Sequence, residues 1–266
     1  MANLRSTIRK VQLALYRDPS LSPAIEPLGH AYPWQLYTKH NDVQLTAQLE
    51  SDYPVDKLVA ELAAVLQAYT PKQQFGQYHA GGWRGVALHA IDGDPTEDQD
   101  RPEATFAKTP ALELAPTMES IIDSFPCEKR RVRILQLAPG RKIFWHRDFW
   151  HSVDSTQLRL HIPIITNDKI GFQISHQDCR WKAGELWYGD FTFPHRVQNG
   201  GDEGRAHLII DLINNEALRS MLPESILRQR EVREKARKRC NSLMNAWSQV
   251  FATEKRLAAM RKTRDS

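Results

Sequence analysis

The chain predicts a mainly β protein with flanking helices: a double-stranded β-helix, or jelly roll, between N-terminal and C-terminal helical segments. Three observations carry this expectation. From residue 130 to about 213, short apolar runs follow one another at close spacing, separated by the turn signals "APG", "TND", "KAG" and "NGGDEG". That is the texture of an all-β sandwich or barrel. Helical periodicity precedes this block and resumes after Asn214. Helices on both sides of a run of strands pack against one face of the sheet and leave the other face to line a pocket.

Taken in order, residues 2–16 predict a short amphipathic helix, closed off by the loop "DPSLSPAIEPLGHAYP", rich in turn residues. "VQLTAQLES" alternates apolar and polar residues and predicts a strand. "PVDKLVAELAAVLQAY" predicts a helix, with Pro54 near its start and apolar residues at i, i+3 and i+4. "GWRGVALHAI" predicts another strand, and "TPALELAPTMESIIDSF" a helix broken or kinked at Pro116. The strands of the β block are "RRVRILQLA", "RKIFWHRD", "QLRLHIPII", "IGFQIS", "GELWYGD", "PHRVQN" and "RAHLIIDLI". Residues 1–215 are expected to form the jelly-roll domain with its N-terminal helices, and 216–266 a basic helical extension. Ile226, Leu227, Leu243, Met244, Trp247, Val250 and Phe251 supply the extension with apolar material for packing on the barrel or on a second copy in a homodimer.

Composition narrows the class. The 266 residues are 41% hydrophobic and 26% charged, ordinary values for a globular protein. No run of about 18 apolar residues is present, which excludes a spanning helix and leaves no expected membrane partner. The N-terminus lacks the apolar core of a secretory signal. Cys127, Cys179 and Cys240 are odd in number and far apart, which argues against a disulfide framework and for a reducing cytoplasm. From residue 216 onward there are thirteen Lys/Arg against six Asp/Glu. Such a tail attracts nucleic acid or membrane in some proteins. Without interleaved aromatics to stack on bases, a solvated helical face is the simpler expectation.

The chemistry concentrates in "FWHRDFWHSVD", residues 144–154. Residues i and i+2 on a strand share a face, so His146 and Asp148 can reach one metal ion together. His195, in "FPHRVQN", offers a third ligand from a later strand. Two histidines and a carboxylate are the facial triad of non-haem Fe(II) oxygenases. Arg205, ten residues beyond His195, can clamp a carboxylate through two parallel hydrogen bonds. The His-Arg-Asp triplet is also found in kinase catalytic loops, but no DFG, Gly-rich loop or Val-Ala-Ile-Lys strand accompanies it here.

Together, "RILQLAPGRKIFWHRD", "LRLHIPIITN", "GELWYGDFTFPHRVQN" and "RAHLIIDL" resemble the aspartyl/asparaginyl β-hydroxylase family of Fe(II)/2-oxoglutarate dioxygenases. Within it they are most similar to the bacterial branch that includes L-proline cis-4-hydroxylase. The resemblance spans roughly residues 82–213. It implies iron ligands His146, Asp148 and His195, a 2-oxoglutarate contact at Arg205, and a cofactor pocket lined by Arg159 and His161. It implies Fe(II), 2-oxoglutarate and O₂ as reactants, and an amino acid, free, peptidyl or carrier-bound, as substrate. Hydroxylation is the implied outcome, with desaturation or cyclisation as the alternative. The mammalian β-hydroxylase has a glycine where this chain keeps Asp148, and a serine that holds 2-oxoglutarate there aligns near Leu135.

Weaker candidates for substrate contact are His151, Trp145, Trp150 and Arg84 beside Trp83, with solvated or packing roles as the simpler reading of each. His176 and His207 are expected to be structural, and Glu185 and Asp190 to belong to turns. Two rival classes are a cupin-like metal protein without 2-oxoglutarate and an oxygenase recruited to nucleic acid by the basic tail.

Overall fold

The computed structural model describes residues 31–74, 79, 81–97 and 99–262, the side chains of 247–262 excepted. The helix expected over 2–16 lies outside them. Contacts divide the chain into two compact units, Gln44–Arg230 and, separately, Met1–Val43 with Glu231–Ser266. In the latter, helix α1 (Pro33–His40) starts on a proline, whose fixed φ suits the first helical position. Its Trp34 carbonyl accepts from Thr38 Oγ1 at 2.9 Å and from Cys240 Sγ at 3.9 Å. Cys240 belongs to the long C-terminal helix described below.

The larger unit is the jelly roll. Its elements are β1 (Thr46–Leu49), α2 (Val55–Ala68), β2 (Lys72–Gln73), β3 (Trp83–Ile91) and β4 (Phe106–Lys108), then a 3-10 turn (Pro110–Leu114) and α3 (Pro116–Asp123). The strands β5 (Lys129–Leu137), β6 (Lys142–His146), β7 (Gln157–Ile165), β8 (Ile170–Ile174), β9 (Gln177–Asp178), β10 (Leu186–Gly189), β11 (His195–Asn199) and β12 (Arg205–Ile213) follow. Short helices α4 (Glu216–Arg219) and α5 (Glu224–Leu227) lead into α6 (Arg230–Lys262). The large sheet runs β1-β10-β7-β12-β5-β3-β2, with β4 on β3, and the small one runs β6-β11-β8-β9. Every pairing is antiparallel.

One face of the large sheet is apolar at every second residue. Leu158, Leu160, Ile162 and Ile164 of β7, Leu208, Ile210 and Leu212 of β12, and Val132 and Ile134 of β5 join Leu58, Leu62 and Val65 of α2 and Met118 and Ile122 of α3 in one buried cluster. The period of two on the strands and of 3.6 on the helices is what lets two flat apolar surfaces meet. Pro116 opens α3 with no capping side chain of its own. The buried Glu61 of α2 supplies it, accepting from the backbone N–H groups of Thr117 (2.7 Å) and Met118 (2.9 Å). A carboxylate at a helix N-terminus satisfies orphan donors and meets the positive end of the helix dipole.

Within the described residues the expected strands and helices are present. The helix expected at Pro116 is split into the 3-10 turn and α3. Strands β2, β4 and β9 were not expected, because two or three residues carry no periodicity. Helix α1 follows directly on the Pro-rich loop and was likewise not foreseen. In the C-terminal stretch Ile226 is buried in the jelly-roll cluster, whereas the side chains of Trp247, Val250 and Phe251 lie outside the described residues.

Candidate metal and cosubstrate site

The second face of the large sheet, together with the small sheet, encloses a cavity of about 400 Å³. His146 ends β6 and His195 begins β11, and the two are register partners across the antiparallel pair. Their rings lie 4.1 Å apart between centroids, tilted by 55°. Strand β6 stops at His146, so Asp148 is positioned from outside the ladder: its backbone N–H donates to Phe191 O at 2.8 Å. One ligand atom from each of His146, Asp148 and His195 lies within 4.8 Å of the others. This is the triad read from the sequence, assembled from two strand ends and a loop.

The donor set fits a divalent ion. His146 Nδ1 contacts Phe144 O at 2.8 Å, and His195 Nδ1 contacts Phe193 O at 3.0 Å. A carbonyl only accepts, so Nδ1 carries the proton on each ring and Nε2 carries the lone pair a metal needs. Burial pulls the His195 pKa down to about 3, with His146 beside it adding to the shift. Burial lowers His146 as well. Both rings are therefore neutral near pH 7, the ligating form. Burial pushes the Asp148 carboxyl up, but the Arg159 guanidinium and His151 outweigh it and hold the group well below the usual carboxylate range.

Along the cavity floor, Arg205 opens β12 with 3% exposure and lies over the Phe172 ring at 5.2 Å. Among the described residues no carboxylate pairs with it, and its Nε has no hydrogen-bond partner. Burial lowers its pKa to about 9. A buried cation without a counter-ion is costly, and a bound carboxylate would relieve it. Arg205 Nη2 donates to His207 Nδ1 at 3.0 Å, which places the His207 proton on Nε2. His207 Nδ1 is 3.3 Å from His161 Nδ1, and His161 stacks on Phe191 with centroids 4.8 Å apart. Phe191 fits there because Gly189 lacks a side chain; a Cβ at that position would lie 2.9 Å from its ring. Leu135 lines the same wall and offers no hydroxyl there.

Arg159 also borders the cavity, but its donors are committed to carboxylates. Nε and Nη2 grip Asp211 at 2.5 and 2.9 Å, and Nη1 donates to Asp148. His151 is buried rather than solvated and lies between the same two aspartates. Trp150 stands at the rim, 58% exposed. Two expected substrate contacts fall elsewhere. Arg84 is exposed and does not line the cavity, because neighbouring strand residues point to opposite faces and Trp83 takes the inward one. Trp145 does not line it either; its ring lies under Arg196, 4.9 Å from the guanidinium carbon.

Arg131, Arg133, His207, Asp211 and Gln74 were not foreseen as site residues. Arg133 is buried, donates to Gln74 Oε1 at 3.2 Å and has no partner at Nε. Burial, reinforced by Arg131, lowers its pKa to about 9. Parity was the available signal: 131, 133 and 135 on β5, and 205, 207, 209 and 211 on β12, each share one face.

Fold and donor set together define a jelly roll in which two histidines and one carboxylate could hold one metal ion, with the buried Arg205 in the same cavity. A family model described as aspartyl/asparaginyl beta-hydroxylase matches residues 54–215, and the chain belongs to that family. It is a dioxygenase of the Fe(II)- and 2-oxoglutarate-dependent class, using O₂. Among solved structures, a 2OG-Fe(II) oxygenase family oxidoreductase from Burkholderia pseudomallei aligns at 13% identity and TM-score 0.45, covering 69% of this chain and 94% of the other. A Pseudomonas putida prolyl-4-hydroxylase aligns at 14% identity and TM-score 0.41, covering 68% and 99%. No described helix is long and apolar enough to cross a membrane.

Proposed function

We propose that this dioxygenase hydroxylates an amino-acid-derived substrate that carries a carboxylate. In this reading Fe(II) sits on His146, Asp148 and His195, and Arg205 holds the far carboxylate of 2-oxoglutarate. The carrying observation is the buried Arg205, without a carboxylate partner among the described residues, in the same cavity as the three ligand atoms. A metal-only cupin has no need of that cation. When bound, iron and 2-oxoglutarate supply the oxidising chemistry: substrate C–H, 2-oxoglutarate and O₂ become substrate C–OH, succinate and CO₂.

The chain's own residues contribute binding and orientation. Arg205 pairs in register with Leu137, and Ile209 with Arg133. Four residues at about 3.3 Å each therefore separate the two cationic positions by about 13 Å along the sheet. Arg133 and Arg131 form a second cationic wall of the cavity, suited to the carboxylate of an amino acid. Trp83, Ile143 and Phe172 supply apolar surface, as pockets that orient a ligand by a few polar groups do.

The test is a panel of free amino acids, peptides and carrier-bound aminoacyl groups, scored by succinate release and product mass at saturating Fe(II). A substrate-dependent rise in succinate with a product one oxygen heavier supports the proposal. A product lighter by two hydrogens replaces hydroxylation with desaturation or cyclisation. Turnover independent of 2-oxoglutarate contradicts it.

A further inference from the structure

Arg159 joins two carboxylates that lie in different parts of the fold. Its Nε and Nη2 form a two-pronged grip on Asp211 of β12, at 2.5 Å to Oδ1 and 2.9 Å to Oδ2. Its third nitrogen, Nη1, donates to Asp148 Oδ2. His151 lies between the same pair, with Nδ1 3.3 Å from Asp148 Oδ2, Nε2 3.4 Å from Asp211 Oδ2, and Nε2 accepting from Arg159 Nη2 at 3.2 Å. The Arg159 hydrogen bond and the approach of His151 are both to Oδ2 of Asp148. Oδ1 has no donor among the described residues.

We infer that Asp211 is a positioning residue for the metal centre: it orients the Arg159 guanidinium and, through it, fixes Asp148 as a ligand that offers one oxygen. The inference rests on the triad reading of the previous section. A guanidinium is planar, so two hydrogen bonds to Asp211 leave the direction of Nη1 little freedom. Partners behind the ligands commonly set ligand orientation in metal sites.

Charge supports the same role. Asp211 is fully buried and faces three guanidiniums: Arg159, Arg131 Nη2 at 3.3 Å and Arg133 Nη2 at 3.6 Å. All three belong to the cavity that would hold a divalent cation. Without the Asp211 charge, those cations repel the metal and the Arg159 cation competes with it for Asp148. Metal affinity should then fall. A residue that merely packs would change stability and leave the metal affinity of folded protein alone.

The experiment uses the full-length apo-protein and Co(II) as the probe, read by equilibrium dialysis and by the visible ligand-field spectrum, with circular dichroism to measure the folded fraction. Asp211→Asn should weaken Co(II) binding by about 10- to 100-fold, the range for lost partners behind metal ligands, and should alter the spectrum. In an Arg159→Gln background the same substitution should cost far less. Wild-type affinity in Asp211→Asn, or an equal fold-loss in both backgrounds, would overturn the inference. Should Asp211→Asn not fold, Arg159→Lys carries the test. It keeps the charge but cannot span both carboxylates, so weaker binding and a shifted spectrum are expected, and wild-type values would contradict the inference. If the wild-type protein binds no Co(II), the triad reading itself fails and takes the inference with it. Normal wild-type binding with an unresponsive Asp211 removes the inference alone.

Discussion

On β7, Leu158, Leu160, Ile162 and Ile164 join the helix-facing cluster, while Arg159 and His161 line the cavity. Strand β12 repeats the division, with Ala206, Leu208, Ile210 and Leu212 on one side and Arg205, His207, Ile209 and Asp211 on the other. The two faces come from the same strands and differ by one residue in phase. One carries the stability of the unit; the other carries charged groups that no isolated apolar core would tolerate. Buried arginines and histidines are held in place because the opposite face of each strand is anchored on the helices. Stability and chemistry are therefore separable by parity, and substitutions on the two faces should fail in different ways.

The largest effect is expected on the cavity face. His195→Ala should reduce succinate release to background and remove metal binding, with a melting temperature close to wild type, since the helix-facing cluster keeps all its members. Full activity of this variant at limiting iron would break the triad. On the helix face, Leu208→Ala should cost roughly 2–5 kcal/mol of stability, the usual range for a core leucine. Chemical denaturation measures it, and turnover per folded molecule should be unchanged.

An acid limb in stability comes next. Burial holds His161 and His207 well below the usual histidine range, and each lies near the Arg205 charge. Both are neutral in the fold, whereas the unfolded chain takes up protons below about pH 6.5. The unfolded state then binds more protons, so stability is fully present above that pH and declines as pH falls through it. The decline is about 1.4 kcal/mol per pH unit for each such group until its folded pKa is reached. Thermal melts of the apo-protein from about pH 8 to pH 5 check this; a melting temperature that rises on acidification would contradict it. The smallest effect belongs to Trp150→Ala. At 58% exposure it should move stability by no more than about 0.5 kcal/mol, and a larger loss would show that the rim is part of the core.

The gathering of His146, Asp148, His195 and Arg205 in one cavity was legible because residue type, spacing and strand context agreed: His146 and Asp148 two apart, His195 on a later strand, Arg205 ten residues on. The strands were legible from alternation and the helix-facing core from its period. The rest of the site was not, for a physical reason. Arg133 and Asp211 are adjacent only because β5 and β12 pair in a particular register, and register across non-consecutive strands leaves no local trace. Arg84 is beside Trp83 in sequence, whereas the fold places it on the opposite face of β3. The shift from contact to positioning role at Arg159 likewise needs Asp211, 52 positions away.

The most direct measurement is succinate release against 2-oxoglutarate concentration, at saturating Fe(II), for wild type, Arg205→Ala, Arg205→Lys and Leu208→Ala. Charge-assisted hydrogen bonds are worth roughly 1.5–3 kcal/mol each, and about 1.4 kcal/mol is tenfold in affinity. Arg205→Ala should therefore shift the curve by about ten- to several-hundred-fold, Arg205→Lys should recover part of it, and Leu208→Ala should overlay wild type once corrected for folded protein. An Arg205→Ala curve that overlays wild type would contradict the assignment of the cavity face to 2-oxoglutarate.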